Sequence, residues 1–304
     1  MPLNALWQAE RKKQSVPLPF ERHIMSNLKL SAFADEYADL FEEQVRDMCE
    51  FGISHLELRH VDRKNVSVLT ETEVKQAKEK LDYFGIGVSA IGSPLGKITL
   101  DGDMDAHLET ARHIFHTANV MGAPYIRMFS FYAPEGKDIV TMRGEAFSAL
   151  EKLVLLAREY GVTLCHENEA KIYGDIPERC REILDYFGGE MKCVFDMGNF
   201  VLENVDPYPA AYELLKKDIA YFHIKDALSE GAIVPPGKGE AKIAQILETH
   251  KQYAAEDFFV SLEPHLQLFS GLNALVGRSF ENPYQYPDAK SAFADAVKKF
   301  KELI

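Results

Sequence analysis

The stretch Tyr160-Gly161-Val162-Thr163-Leu164-Cys165-His166-Glu167-Asn168 carries the three signals from which the fold is read. A glycine closes an amphipathic run, and glycine is the residue that most readily takes the left-handed conformation ending a helix. Apolar and β-branched residues follow at once, which predicts a strand. A carboxylate then ends that strand. The same corner recurs along the chain: Phe51-Gly52 precedes a strand from Ile53, Phe84-Gly85 one from Ile86, and Met121-Gly122 one from Tyr125.

Working outward from these corners, strands are expected near 28–33, 54–59, 86–91, 125–130, 162–166, 192–196, 219–224 and 257–262, each separated from the next by one helix and two loops. The intervening stretches carry apolar stripes at helical spacing. Phe41, Val45, Met48 and Cys49 mark the first, and Phe147, Leu150, Leu153, Val154 and Ala157 the fourth. Eight alternating units predict a closed (β/α)₈ barrel of the TIM type, an α/β fold usually about 250 residues long. An open doubly wound sheet would carry a glycine-rich turn after its first strand, whereas Ser31-Ala32-Phe33-Ala34-Asp35-Glu36 holds no glycine. The expected organisation is a single barrel domain over 27–304, preceded by an N-terminal extension, 1–26. That extension holds Trp7, the only tryptophan, with Leu3, Leu6, Val16, Leu18 and Phe20, and is expected to dock in part on the barrel or a neighbouring subunit.

With 304 residues, 46% of them apolar, the chain can bury one large core. Its formal charge of −13 repels phosphate backbones and anionic lipid, so neither a nucleic acid nor a membrane is an expected partner. No apolar run approaches the roughly 20 residues that cross a bilayer. The four cysteines show no CxxC or zinc-like spacing, and the N-terminus lacks a secretory apolar region, which predicts a reduced, cytoplasmic protein.

In such a barrel the site lies at the C-terminal ends of the strands. Glu167 ends the fifth strand, Asp196 the sixth, His223 the seventh and Glu263 the eighth, so four consecutive strands deliver one ligand-type side chain each to the same rim. Three carboxylates in one mouth repel unless a cation lies among them, and a divalent metal is the simplest resolution. Three oxygen donors and one imidazole suit one Mn²⁺, Mg²⁺ or Co²⁺ ion, and are also compatible with Zn²⁺. The plainer alternative is that these are rim residues paired with Lys225, Arg59, Arg127 or helix N-termini.

The local strings His166-Glu167-Asn168, Phe195-Asp196-Met197-Gly198-Asn199-Phe200, His223-Ile224-Lys225-Asp226-Ala227 and Ser261-Leu262-Glu263-Pro264-His265 resemble the xylose-isomerase-like TIM barrels, specifically the sugar phosphate isomerase/epimerase group. The resemblance implies metal-assisted proton transfer on a keto sugar or sugar phosphate, with the metal polarising a carbonyl and a neighbouring hydroxyl to lower the cost of an enediolate. Glu167 and Glu263 match the two glutamates that exchange the proton, and Asp196 and His223 complete the metal shell. A carbohydrate substrate and a carbohydrate-metabolism role follow. Assembly as a homo-oligomer is compatible with the sequence.

Departures narrow the reaction. Ketose 3-epimerases of this group hold substrate through a Glu, a His and an Arg at positions occupied here by Tyr173, Asn199 and Ser229, which speaks against that identity. Endonuclease IV-like relatives use further histidines that this chain lacks, and two-metal isomerases need carboxylates where only Asp226 stands. The leading expectation is an isomerase or epimerase. The alternatives are a keto-inositol dehydratase-like lyase and a non-catalytic sugar-binding barrel. Asn199, Lys225, Arg127, His60 and His265 are the candidate substrate contacts, Glu57 and Arg59 are expected to pair with each other, and Glu240 to cap a helix.

Overall fold

The computed structural model describes residues 28–266 and 284–304. Strands β1 (Leu28–Ala32), β2 (His55–Leu58), β3 (Gly87–Ile91), β4 (Tyr125–Met128), β5 (Thr163–Glu167), β6 (Met191–Asp196), β7 (Ile219–Ile224) and β8 (Phe258–Leu262) form one parallel sheet. Its order is β1-β8-β7-β6-β5-β4-β3-β2, each strand beside its sequence neighbour. The two end strands meet, with the Ser54 hydroxyl donating to the Leu30 carbonyl across 3.4 Å, so the barrel is nearly closed. All eight strands fall where the glycine corners and apolar runs place them.

Helices α1 (Phe41–Glu50), α2 (Glu71–Phe84), α3 (Met104–Met121), α4 (Arg143–Tyr160), α5 (Pro177–Phe187), α6 (Met197–Leu202), α7 (Tyr212–Leu215), α8 (Ile243–Tyr253) and α9 (Ala289–Lys301) surround the sheet. Gly161 ends α4 at φ 65°, where a side chain would be strained, and Val162 then turns directly toward β5. The main core lies between strands and helices. Phe41, Val45 and Met48 of α1 are buried there, whereas Cys49, counted with that stripe from sequence, lies exposed at its edge. Phe195 and Phe222, 5.9 Å apart, belong to this outer layer. A smaller cluster of Ala90, Cys165, Val194 and Tyr221 fills the barrel interior below the rim.

Two features of the ladder matter for the site. Register slips by one residue between β2 and β3 at Leu56/Glu57 and between β6 and β7 at Cys193/Val194. Such bulges re-aim the side chains that follow. None of the described helices is long and apolar enough to cross a membrane. The expected N-terminal extension and most of the loop before α9 lie outside the described residues.

One buried group gives a pH signature of the core. His250 on α8 is wedged between the rings of Phe222 and Phe258, each centroid 4.7 Å away, and its Nδ1 meets the Tyr212 hydroxyl at 3.1 Å. Burial pushes its pKa down to about 4. The unfolded chain takes up this proton near pH 6.5 and the native state only near 4, so stability is lost as pH falls through that window. Urea unfolding between pH 7 and 4 should show His250→Gln with a shallower slope, by up to one proton, or ~1.4 kcal/mol per pH unit. Equal slopes would contradict the assignment.

Candidate functional site

Alternation along a strand sends every second side chain into the barrel. On β5 that set contains Cys165 and Glu167, on β6 Val194 and Asp196, and on β7 Tyr221 and His223, followed by Lys225. Glu263 follows β8, its N–H continuing the ladder to the Ile224 carbonyl at 3.2 Å. The structure brings the four expected residues together. Ligand atoms of Glu167, Asp196, His223 and Glu263 all lie within 4.8 Å of one another, and all four residues are buried. His223 Nδ1 stands 3.1 Å from Glu167 Oε1, 3.5 Å from Glu263 Oε2 and 3.6 Å from Asp196 Oδ2.

Two asparagines hold this geometry. Asn168 and Asp196 exchange a reciprocal pair, the Asn168 amide donating to the Asp196 carbonyl and the Asp196 N–H to Asn168 Oδ1, both at 2.9 Å. Asp196 also caps α6, its Oδ1 accepting from the Asn199 N–H at 2.7 Å, while the Asn199 side chain donates to Glu167 Oε1 at 3.3 Å. A side chain at position 198 would have its Cβ 2.6 Å from Lys225 Cγ and 2.9 Å from the Lys225 carbonyl, so Gly198 is what lets Lys225 approach.

The cations are where sequence and structure differ. Metal ligation and pairing with basic residues were alternatives in the sequence, but the structure contains both arrangements at once. Lys225 Nζ lies 2.9 Å from Asp196 Oδ2, 3.0 Å from Glu263 Oε2 and 3.1 Å from Asn199 Oδ1. Arg127 reaches Glu167 at 3.2 Å and Glu263 at 3.4 Å, and Arg59 reaches Glu263 at 3.2 Å. Repulsion among the carboxylates is therefore partly relieved by the chain itself, and does not by itself demand a metal.

The charge balance still leaves room for one. Six buried carboxyl groups (Asp35, Glu36, Glu57, Glu167, Asp196 and Glu263) share this network with three fixed cations, Arg59, Arg127 and Lys225. Burial pushes Glu36 up to about 8, against the pull of Arg59, so it is largely protonated at neutral pH. Five carboxylates then face these three cations and His223, whose acidic neighbours favour its charged form, and a divalent ion that displaced the His223 proton would meet the remaining deficit of two. Glu167 Oε2 and Glu263 Oε2 are buried and make ion pairs but no hydrogen bond, so lone pairs remain for a ligand. The donor set therefore fits a divalent cation.

The protonation states follow from the same neighbours. Burial raises Glu167, outweighing His223 and Arg127. Burial also acts on Glu263 and Asp196, but there Lys225 and the flanking basic groups win, holding Glu263 well below the usual range and Asp196 below it. His223 is fully buried, which opposes its charge, yet Glu57, Glu167 and Glu263 raise it well above the ordinary value.

Of the candidate substrate contacts, Asn199, Lys225 and Arg127 touch the central carboxylates directly. His265 Nε2 lies 3.5 Å from Glu263 Oε1 and 3.2 Å from Glu36 Oε1. His60 sits one step outside, its Nδ1 2.7 Å from Asp35 Oδ2, and Asp35 in turn accepts from Arg59 at 2.7 Å. Glu57 and Arg59 do not pair with each other. Glu57 accepts from His223 and Tyr221 inside the barrel, while Arg59, past the end of β2, turns to Asp35, Glu36 and Glu263. Glu240 caps no helix: it takes the Ser229 hydroxyl at 3.4 Å, and α8 has no side-chain cap. Asp226 instead gathers that loop by accepting the N–H groups of Gly237, Gly239 and Ala241. Sequence reasoning missed Asp35 and Glu36 altogether, although two acids directly after β1 were a signal that they face the mouth.

Residues 45–281 match the xylose isomerase-like TIM barrel family, and the chain belongs to it. Among solved structures it is similar to the probable 3-DHS dehydratase involved in petrobactin synthesis from Bacillus anthracis, at 17% identity and TM-score 0.69, covering 91% of this chain and 99% of that one. A D-allulose 3-epimerase from Methylomonas sp. superposes with TM-score 0.68 at 13% identity, over 92% and 99% of the two chains. A xylose isomerase-like TIM barrel protein from Mycobacterium smegmatis, in complex with magnesium, gives 0.64 at 15%, over 91% and 96%. At these identities the likeness concerns the fold. No protein of curated function matches the chain in sequence.

Proposed function

We propose that this chain is a divalent-metal-dependent isomerase or epimerase of a keto sugar or sugar phosphate. The observation that carries the reading is the buried group of Glu167, Asp196, His223 and Glu263 at successive strand ends, with donor atoms within reach of one ion. A divalent ion held there would supply Lewis acidity to the substrate's carbonyl oxygen. Glu167 and Glu263 come from β5 and β8, on different sides of the barrel mouth, and address a bound polyol from two directions, as removal and return of a carbon-bound proton require. Lys225 and Arg127 hold these carboxylates in place and face the same space, where an oxygen bearing developing negative charge would be stabilised. Asn199 completes the polar lining. The magnesium-bound and epimerase relatives are consistent with this reading.

A dehydratase-like lyase acting on a keto-inositol or a related ring is the second reading. It is favoured by the absence of the ketose 3-epimerase contacts: Tyr173 is buried with its hydroxyl on Glu182, and Ser229 is turned to Glu240. Proton abstraction beside a carbonyl is common to both reactions, and they part only if a β-hydroxyl leaves.

The test is solvent exchange. With Mn²⁺ in D₂O, a panel of ketoses, keto-inositols and their phosphates should include a compound that gains deuterium next to its carbonyl, read by mass spectrometry and proton NMR. An ultraviolet-absorbing enone from the same compound would mark the lyase. Turnover that retains the substrate hydrogen and needs two metal ions per chain would favour a hydride shift and overturn the proposal.

A further inference from the structure

Glu57 is a carboxylate for which the proposed chemistry has no direct use, yet it is fully buried under the site. Its Oε2 lies 2.9 Å from His223 Nε2, and its Oε1 accepts from the Tyr221 hydroxyl at 2.8 Å. The slip in the β2/β3 ladder falls at this residue. The side chain crosses the barrel interior to β7, a strand that is not its neighbour.

An imidazole that ligates a cation through one nitrogen carries its single proton on the other, and the partners decide which is which. At His223 both nitrogens face acceptors: Nδ1 has Glu167 Oε1 at 3.1 Å, while Nε2 has Glu57 Oε2 at 2.9 Å. Without Glu57, the proton would be drawn to Nδ1 and the lone pair would point away from Asp196 and Glu263. We propose that Glu57 is a positioning residue: by accepting the Nε2 hydrogen of His223 it leaves the Nδ1 lone pair facing Glu167, Asp196 and Glu263, ready for a divalent cation. The Tyr221 hydroxyl fixes the carboxylate plane, and the Phe33 ring, packed T-shaped with its centroid 5.3 Å from that of the imidazole, limits ring rotation. The inference rests on the metal-site reading above. Partners of this kind behind a ligating histidine set both its tautomer and its basicity.

The experiment is a Mn²⁺ titration by electron paramagnetic resonance on the full, chelator-treated chain. Glu57→Leu, which removes the acceptor, should weaken binding by about 10–100-fold, the range for loss of such a partner, while Glu57→Gln, whose amide oxygen still accepts the Nε2 hydrogen, should weaken it less. Tyr221→Phe, which leaves the His223 bond intact, should weaken it much less. A folded Glu57→Leu protein that binds Mn²⁺ as tightly as wild type would overturn the proposal. A second measurement needs no variant: long-range ¹⁵N–¹H spectra of Zn²⁺-loaded wild type should show His223 protonated at Nε2 and bound through Nδ1, and binding through Nε2 would overturn it. Wild type that takes up no Mn²⁺ at all would instead reject the metal site, a failure distinct from the first.

Discussion

Asp196→Asn should bring metal occupancy from about one ion per chain to near zero and lower turnover by on the order of 10³-fold or more, the scale on which loss of a charge-stabilising group acts. The reason is specific to this carboxylate. Oδ1 accepts from the Asn199 N–H at 2.7 Å and Oδ2 from Lys225 at 2.9 Å, so both oxygens are committed while Oδ2 also faces the ligand space. An amide in that place must turn its NH₂ toward one of two donors. The expected damage therefore includes displacement of Lys225 as well as loss of a ligand. Elemental analysis after gel filtration checks the first part, and unchanged stoichiometry would reject the assignment of Asp196.

Arg127→Leu has an opposite pair of expected effects. Arg127 is buried and bonded to Glu167 and Glu263, and removing one partner of a buried ion pair leaves charge uncompensated at a cost of about 3–5 kcal/mol. For a chain of this size that is a fall in Tm of roughly 10 °C in the chelated protein. The same change removes a positive charge from beside the metal ligands, so Mn²⁺ should bind the variant more tightly and restore part of the lost stability through mass action. The variant's Tm rise on adding Mn²⁺ should exceed that of wild type. A smaller rise would mean that Arg127 supports the ligands rather than competing with the ion.

The barrel was legible because each unit announces itself locally. Glycine at a helix end and an apolar run after it are contiguous in sequence, and the structure follows each such corner with a strand, while the apolar run alone marks β1, β7 and β8. The central residues were legible for a related reason: Glu167, Asp196, His223 and Glu263 stand at the ends of otherwise apolar strands and repeat at about the period of the βα unit, which places them at one rim. The arrangement of the cations was not. Lys225, Arg127 and Arg59 reach their partners through long side chains, and whether such a group turns to solvent or into the cluster depends on neighbours such as Gly198 that open its path. Glu57 was misplaced for a different reason. Glu57 and Arg59 end the same strand and suggested a pair, but Glu57, deeper in the barrel, meets His223 and Tyr221 from β7, while Arg59 reaches Asp35, Glu36 and Glu263 at the rim. Cys49 shows the limit of the helical stripe, since its position at the edge of the apolar face is decided by what packs beside it.

Glu167, Asp196, His223 and Glu263 are expected to hold one cation together while Lys225 sits beside them. Anomalous diffraction from crystals grown with Mn²⁺ tests this directly. The predicted result is a single strong peak within bonding distance of Glu167, Asp196, Glu263 and Nδ1 of His223, with Lys225 retained at the edge of the group. Crystals saturated with Mn²⁺ that show no peak there, with the Lys225 ammonium alone bridging Asp196 and Glu263, would contradict it.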